Sequence, residues 1–259
     1  MIMEKSIYLE IGLEACQKAE GIILSYLPQN GGIVNNKLDG SPVSKADLES
    51  QKAIIDTIRT AFPDHSFLGE EDGERNSLDG KEFVWIIDPI DGTKAYLRKN
   101  PLFATQIALM QNGKIILGIS NCPLLKELMY AERGKGSFLN DQKMTVAKIS
   151  EIKDASASFG AIKYFEKINK TKNLIELSEN VRWARGIGDF WSYHLLAQGK
   201  IDVMIEASTK IWDIAALSVI VEEAGGRVTD LNGLPLSIET SSALATNGLL
   251  HEKMRNYFA

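Results

Sequence analysis

The residues best placed to do chemistry form one short segment, Asp88-Pro89-Ile90-Asp91-Gly92-Thr93. It follows an apolar run, Phe83 to Ile87, that reads as a buried strand stopped at Asp88-Pro89. At such a strand end, backbone groups lose their sheet partners and point into a crevice. Pro89 stiffens the turn, so the Asp88 and Asp91 carboxylates can converge. Two unit charges ~4 Å apart repel by about 4 kcal/mol at an effective dielectric of ~20. Either one carboxylate takes up a proton or a cation sits between them. With no His or Cys nearby, all-oxygen ligation favours a hard ion, Mg²⁺ above all. Gly92 lets the backbone approach a ligand closely, and the amides after it can receive a phosphate. Read alone, the segment is also a common polar turn.

Two other places add acids. Glu70-Glu71-Asp72 follows Ser66-Phe67-Leu68-Gly69, an apolar stub ending in glycine. Adjacent carboxylates at a strand end point opposite ways, so only one need face a metal; by itself the stretch is a solvated acidic loop. Trp212-Asp213 opens the last long helix. Asp213 there is ordinarily a cap, but the free N–H groups of a helix start also suit an anion.

The chain that must position these groups has 259 residues, between one and two domains at roughly 150 residues each. With 44% hydrophobic and 24% charged residues it is not disordered over most of its length, and no run approaches a membrane span. The start, with Glu4 and Glu10, lacks the basic flank and apolar run of a signal peptide. Cys16 and Cys122 cannot build a disulfide framework or a cysteine-rich zinc site, and the histidines form no HExxH. Net charge is −5 with the lysines scattered, so no nucleic acid is expected. These features describe a cytoplasmic enzyme or binding protein.

Residues 4–27 read as one helix with Ile7, Ile11, Ala15, Ile22 and Tyr26 as its apolar stripe, closed by Pro28. An Asn- and Gly-rich loop over 28–42 follows, a candidate lid beside Asp47. Ser44 opens a second helix with Asp47 as capping-box partner and Leu48, Ile55, Ile58 and Phe62 facing the core. Asn112-Gly113 and Gly134-Lys135-Gly136 mark two hairpins; the second superficially resembles a phosphate loop but lacks its spacing. Beyond a soft boundary at 145–155 come a helix at 188–198, a strand at 201–206, a helix at 212–224 stopped by Gly225-Gly226, and a strand with turn at 227–233. The reading is an α/β (α+β) fold: one domain over 1–259, with closely packed halves at about 1–148 and 149–259.

Taken together these residues resemble the inositol monophosphatase family of Mg²⁺-dependent, lithium-sensitive phosphatases. The matching elements are PVSKAD at 42–47, GEED at 69–72, WIIDPIDGT at 85–93 and WDIAA at 212–216, over nearly the whole chain. The resemblance implies a layered αβαβα sandwich and two to three Mg²⁺ ions. Glu70, Asp88 and the Ile90 carbonyl would hold the first, and Asp88, Asp91 and Asp213 the second. Glu70 would also reach a weaker third ion through water. Asp47 and Thr93 would activate the attacking water, and the amides of Gly92 and Thr93 would bind phosphate. One ion would lower the pKa of that water while the other stabilises the leaving alkoxide, with no covalent phospho-enzyme. The family also implies a homodimer acting on a small phosphorylated alcohol.

Substrate choice falls to the second half. Glu206 matches the family's substrate-contacting acid, and Arg185-Gly186-Ile187-Gly188-Asp189-Phe190-Trp191-Ser192 resembles the histidinol-phosphate phosphatase branch. Asp189 and Glu206 facing a cationic amino alcohol make electrostatic sense, with Arg185 nearby; Asp189 as a plain helix cap is the competing reading. His194 reads as a packed or surface histidine rather than a catalytic one, and Trp183, Trp191 and Trp212 as core, with Trp191 also a candidate neighbour of the substrate. Inositol 1-phosphate, 3′-phosphoadenosine 5′-phosphate, and a regulatory role toward a protein or RNA partner stand as alternatives.

Overall fold

A computed structural model describes residues 4–27, 33–36, 42–71 and 80–258. Two sheets and three helical layers alternate. Helices α1 (Ile7–Tyr26) and α2 (Lys45–Ala61) form the first layer, beside a two-stranded ribbon of β1 (Ile33–Asn36) and β2 (Pro42–Ser44). The large sheet runs β3 (Ser66–Gly69), β4 (Phe83–Asp91), β5 (Ala104–Gln111), β6 (Lys114–Cys122), β7 (Glu127–Glu132), β8 (Gly136–Leu139) and β9 (Gln142–Lys143) in chain order. Only β3 and β4 pair in parallel; the rest is an antiparallel meander. A short helix, α3 (Thr93–Leu97), interrupts it after β4.

The second sheet is mixed. It is built from β10 (Ser156–Phe159), β11 (Trp183–Arg185), β12 (Val203–Glu206), β13 (Arg227–Thr229) and β14 (Ala243–Thr246), in the order β11-β10-β12-β14-β13. Helices α4 (Ile162–Lys167), α5 (Thr171–Asn180) and α8 (His251–Phe258) accompany it, while α6 (Asp189–Ala197) and α7 (Ile211–Glu223) lie between the sheets.

Strand alternation builds the layers. On β4, Trp85 and Ile87 enter the core under α1 and α2, while Val84 and Ile86 enter the core shared with α6 and α7. On β12, Met204 faces that same middle core, and Val203 and Ile205 face the outer core with Leu174 and Met254. Helix α7 is buried on every side from Ile214 through Val221, all apolar but Ser218, as a helix covered by sheets on both sides requires. The layered αβαβα architecture expected from the resemblance is therefore present. Among the described residues no helix is long and apolar enough to cross a membrane.

Several local expectations are corrected. The buried face of α1 carries Leu9, Gly12, Ala15, Cys16, Ala19 and Ile23, and Ile7 is 56% exposed. Small residues decide this, because a Cβ on Gly12 would lie 2.7 Å from Ile119 of β6. On α2, Leu48 is exposed and Phe62 lies just past the helix end. The face turned inward includes Asp47, Ser50 and Gln51, so polar groups occupy ground that an apolar stripe would have claimed. Strand β4 does not stop at Asp88 but continues to Asp91 with a register irregularity over Asp88–Asp91. The loop expected over 28–42 contains the β1–β2 ribbon; 28–32 and 37–41, and with them the lid question, lie outside the described residues.

Candidate active site

Register brings the first acids together. β3 and β4 run in parallel with Gly69 opposite Ile87, and the Glu70 N–H donates to the Ile87 carbonyl at 3.0 Å. Glu70 therefore leaves its strand where Asp88 begins, close enough for its charge to help raise the Asp88 carboxyl. The Asp88 carboxylate also accepts the Ile90 N–H at 3.0 Å, and Thr105 of β5 donates to the Pro89 carbonyl at 2.9 Å. Pro89 has no N–H to give, so this irregular stretch is held by side chains where ladder bonds end. Asp72 of the GEED motif lies outside the described residues.

Gly92 follows at φ 86°, and a Cβ there would meet the Leu102 carbonyl at 2.8 Å, so the turn into α3 requires glycine. The Thr93 hydroxyl lies 3.0 Å from the Ile90 carbonyl and 3.4 Å from Asp47 Oδ1. Asp47 is fully buried and closes the α2 capping box, its Oδ2 accepting the Ser44 N–H at 2.8 Å. One oxygen of Asp47 is thus committed to the cap and the other turned toward Thr93.

Asp213 arrives from the opposite half, in the first turn of α7, where its Oδ2 accepts the Lys210 N–H at 2.8 Å and the Thr209 hydroxyl at 3.2 Å. A cavity of about 60 Å³ opens between the halves, lined by Asp91, Asp189, Phe190, Tyr193, Glu206, Thr209 and Asp213 among others. Glu206 ends β12 and is 9% exposed. A Cβ on Gly160 would lie 2.1 Å from its Oε2, so glycine at that position leaves the space the carboxylate occupies. Asp189 begins α6 at φ 51°, after Gly188 at φ 71°. No side chain caps this helix, so capping does not account for Asp189. The residue is exposed as a whole, yet burial around its carboxylate raises its pKa, with Lys94 opposing.

So many carboxylates in little water cannot all ionise unaided. Burial first, then the charges of Glu70, Asp91 and Asp213, hold Asp88 well above the carboxylate range. Burial, followed by Asp189, Asp213, Glu70 and Glu206, does the same to Asp91. Burial pushes Asp213 up to about 7 and, with Asp189 and Asp213 as neighbours, Glu206 up to about 8. A cation would relieve this repulsion, and the donors are all oxygen. Among the described residues no three His, Cys, Asp or Glu side chains are gathered tightly enough to hold an ion by themselves. The set fits an ion that keeps waters and takes substrate oxygens, as Mg²⁺ does.

Arg185 does not join this group. It is exposed, and its guanidinium lies 5.9 Å from the centre of the Trp183 ring. Trp191 does not line the cavity but packs against the middle core, as Trp183 and Trp212 do. His194 is buried between Ser120 and Glu127. The amides of Gly134 and Gly136 are taken by the Glu223 carboxylate at 3.0 and 2.9 Å, so that hairpin already has its anion from within the chain. Sequence reasoning missed Tyr193 and Thr209. Tyr193 sits four residues after Asp189 on α6, and that helical spacing was the available signal.

The sequence matches the inositol monophosphatase family over residues 4–259. It is 36% identical to the histidinol-phosphatase of Mycobacterium tuberculosis over 226 residues, 85% of this chain and 86% of that one. It is 32% identical to the inositol-1-monophosphatase of Mesorhizobium japonicum, over 97% of this chain and 96% of the relative. The inositol monophosphatase structure from Anabaena (Nostoc) sp. PCC 7120 superposes with a TM-score of 0.84 at 30% identity, covering 96% of this chain and 94% of that one. The family is metal-dependent, generally on Mg²⁺. With fold, sequence and relatives in agreement, the protein is a phosphoric monoester hydrolase that belongs to the inositol monophosphatase family.

Proposed function

We propose that the protein hydrolyses histidinol phosphate to histidinol and phosphate in a Mg²⁺-dependent reaction. The observation that carries the substrate is the placing of Asp189 and Glu206 in one cavity with Asp91 and Asp213. An alcohol whose phosphate meets the metal carboxylates presents its other end to two acids, and an ammonium or imidazolium group suits both.

In this reading Glu70, Asp88, Asp91, Asp213 and the Ile90 carbonyl would hold two to three ions between them. Bound there, Mg²⁺ supplies Lewis-acid stabilisation of the phosphoryl charge and makes a water more acidic. Asp47 and Thr93 orient that water, because the Thr93 hydroxyl lies between the Asp47 carboxylate and the Ile90 carbonyl. Its proton passes toward Asp47 through Thr93. The N–H groups of Gly92 and Thr93 receive phosphate oxygens as the chain turns into α3. Arg185, exposed and outside the cavity lining, has no support as a substrate contact. The family resemblance further supports a cytoplasmic homodimer.

Inositol 1-phosphate is the second reading, supported by the relative that matches nearly the whole chain under that activity. Phosphate release from histidinol phosphate, inositol 1-phosphate and 3′-phosphoadenosine 5′-phosphate, with Mg²⁺ and with chelator, separates them. A metal-dependent preference for histidinol phosphate of about tenfold, roughly 1.4 kcal/mol in transition-state binding, is expected. Similar slow rates on all three would defeat the substrate assignment. No release from any would favour a regulatory, partner-binding role.

A further inference from the structure

Tyr193 lines the cavity, and its hydroxyl, buried behind that lining, has nothing bonded to it. The residue is 1% exposed, and its hydroxyl has no hydrogen-bond partner. Of the buried side chains left in that state among the described residues, it is the one that lines this cavity. The helix that carries it is pinned. His194 Nε2 lies 2.7 Å from the Ser120 hydroxyl of β6, and Nδ1 lies 3.0 Å from Glu127 of β7. Two residues earlier, the Ser192 hydroxyl lies 2.9 Å from the Gly188 carbonyl and 2.8 Å from Ser158 Oγ of β10. Helix α6 is thereby tied to both sheets and cannot turn to find the phenol a partner. A buried hydroxyl left unpaired on a fixed helix is poised for a group that arrives from outside.

The chemistry of that group follows from what surrounds it. Asp189 and Glu206 offer acceptors, so they take the donors of a ligand. Tyr193 adds a donor, which asks for a neutral acceptor on the same ligand, a ring nitrogen or a hydroxyl oxygen. An ammonium group has no lone pair and cannot supply one. We infer that the Tyr193 hydroxyl is a substrate-contacting, specificity-determining group that donates to a neutral acceptor on the leaving-group alcohol, while Asp189 and Glu206 receive that alcohol's donors. The inference rests on the cavity being the substrate site of the phosphatase. It narrows the substrate class to phosphorylated alcohols that carry a lone-pair acceptor beside their donors, and it disfavours simple aminoalkyl phosphates.

Tyr193→Phe removes one oxygen and keeps the ring. The wild type and this variant are compared with saturating Mg²⁺ on histidinol phosphate, inositol 1-phosphate and 2-aminopropyl phosphate, which keeps an ammonium group but has no ring nitrogen or hydroxyl. On whichever of the first two the wild type prefers, kcat/KM is expected to fall about tenfold. Its ratio to kcat/KM on 2-aminopropyl phosphate should fall by a similar factor. The metal-free Tm should stay level or rise, since no protein bond is lost. A loss below about twofold on the preferred substrate would mean that the hydroxyl holds only water, and equal losses on all substrates would mean that it reads nothing. A Tm several degrees lower would mean a protein partner. Each of these outcomes overturns the inference. A wild type that prefers inositol 1-phosphate would sink the histidinol reading alone, with Tyr193 then judged on that substrate. A wild type inactive on all three would sink both.

Discussion

Gly118 of β6 and Ala216 of α7 meet backbone to backbone: a Cβ on Gly118 would lie 2.2 Å from the Ala216 carbonyl oxygen. This contact sets how close the middle helix lies to the large sheet, and Asp213 rides on the first turn of that helix. Asp91 ends β4 in the same sheet. The spacing between carboxylates from opposite halves thus depends on the absence of one methyl group.

Gly118→Ala should therefore destabilise the protein by about 1–3 kcal/mol or more. It should also weaken Mg²⁺ binding, because α7 must move away with Asp213. Thermal melts and a Mg²⁺ titration of activity test both effects; an unchanged Tm and midpoint would show that the contact can yield without consequence.

Asp91→Asn removes a charge from a crowded pocket as well as an expected metal ligand. Turnover should fall by about 10²–10³-fold or more, with the circular dichroism spectrum unchanged. The metal-free variant should melt slightly above the wild type, because a neutral amide avoids the cost of burying that carboxyl and, second, its repulsion with Asp189, Asp213, Glu70 and Glu206. Full activity in this variant would defeat the assignment of Asp91.

The same carboxylates give Mg²⁺ stabilisation a definite pH dependence. Their native pKa values are raised, Asp213 to about 7 and Glu206 to about 8, so the native state binds more protons than the unfolded one in this range. The metal-free protein should thus gain stability as pH falls from about 8 toward the unfolded carboxylate values near 4. Mg²⁺ competes with those protons. At pH 8, an excess of about a hundredfold over Kd is worth about 2.7 kcal/mol, roughly 5–10 °C in Tm for a chain of this size. By pH 5 that gain should have largely gone. Equal Mg²⁺ shifts at the two pH values would contradict a carboxylate site.

Asp189→Ala should raise KM for histidinol phosphate by roughly tenfold, the low end for a charged hydrogen bond at an exposed residue. The rise for inositol 1-phosphate should be smaller, since its hydroxyls do not need a counter-charge. Steady-state kinetics on both substrates decides it; equal effects would remove Asp189 from substrate selection.

Much of this protein was readable from local signals. The Ser44–Asp47 capping box, the turns at Asn112-Gly113 and Gly134-Lys135-Gly136, and the stop at Gly225 depend on a few neighbouring residues, and the structure keeps them all. The acids could likewise be named in advance, because carboxylates bunched beside glycine and proline are uncommon outside turns and ion sites.

Where a signal had to cross space it failed or fell silent. Ile7 and Leu48 were expected inside and lie exposed, because Gly12 and Ala15 let α1 pack on its small face and α2 turns Asp47, Ser50 and Gln51 inward. Strand β4 runs past Pro89 because Thr105 from the next strand supplies a hydrogen bond that no local reading contains. Composition and spacing could state which groups carry the chemistry, since side-chain type is a property of the chain. Their convergence came from the parallel register of β3 on β4, the close approach of Gly118 to Ala216, and the pinning of α6 that leaves Tyr193 unpaired. Each of these joins residues far apart in sequence, and only packing free energy, which is not local, chooses among the pairings the chain could make.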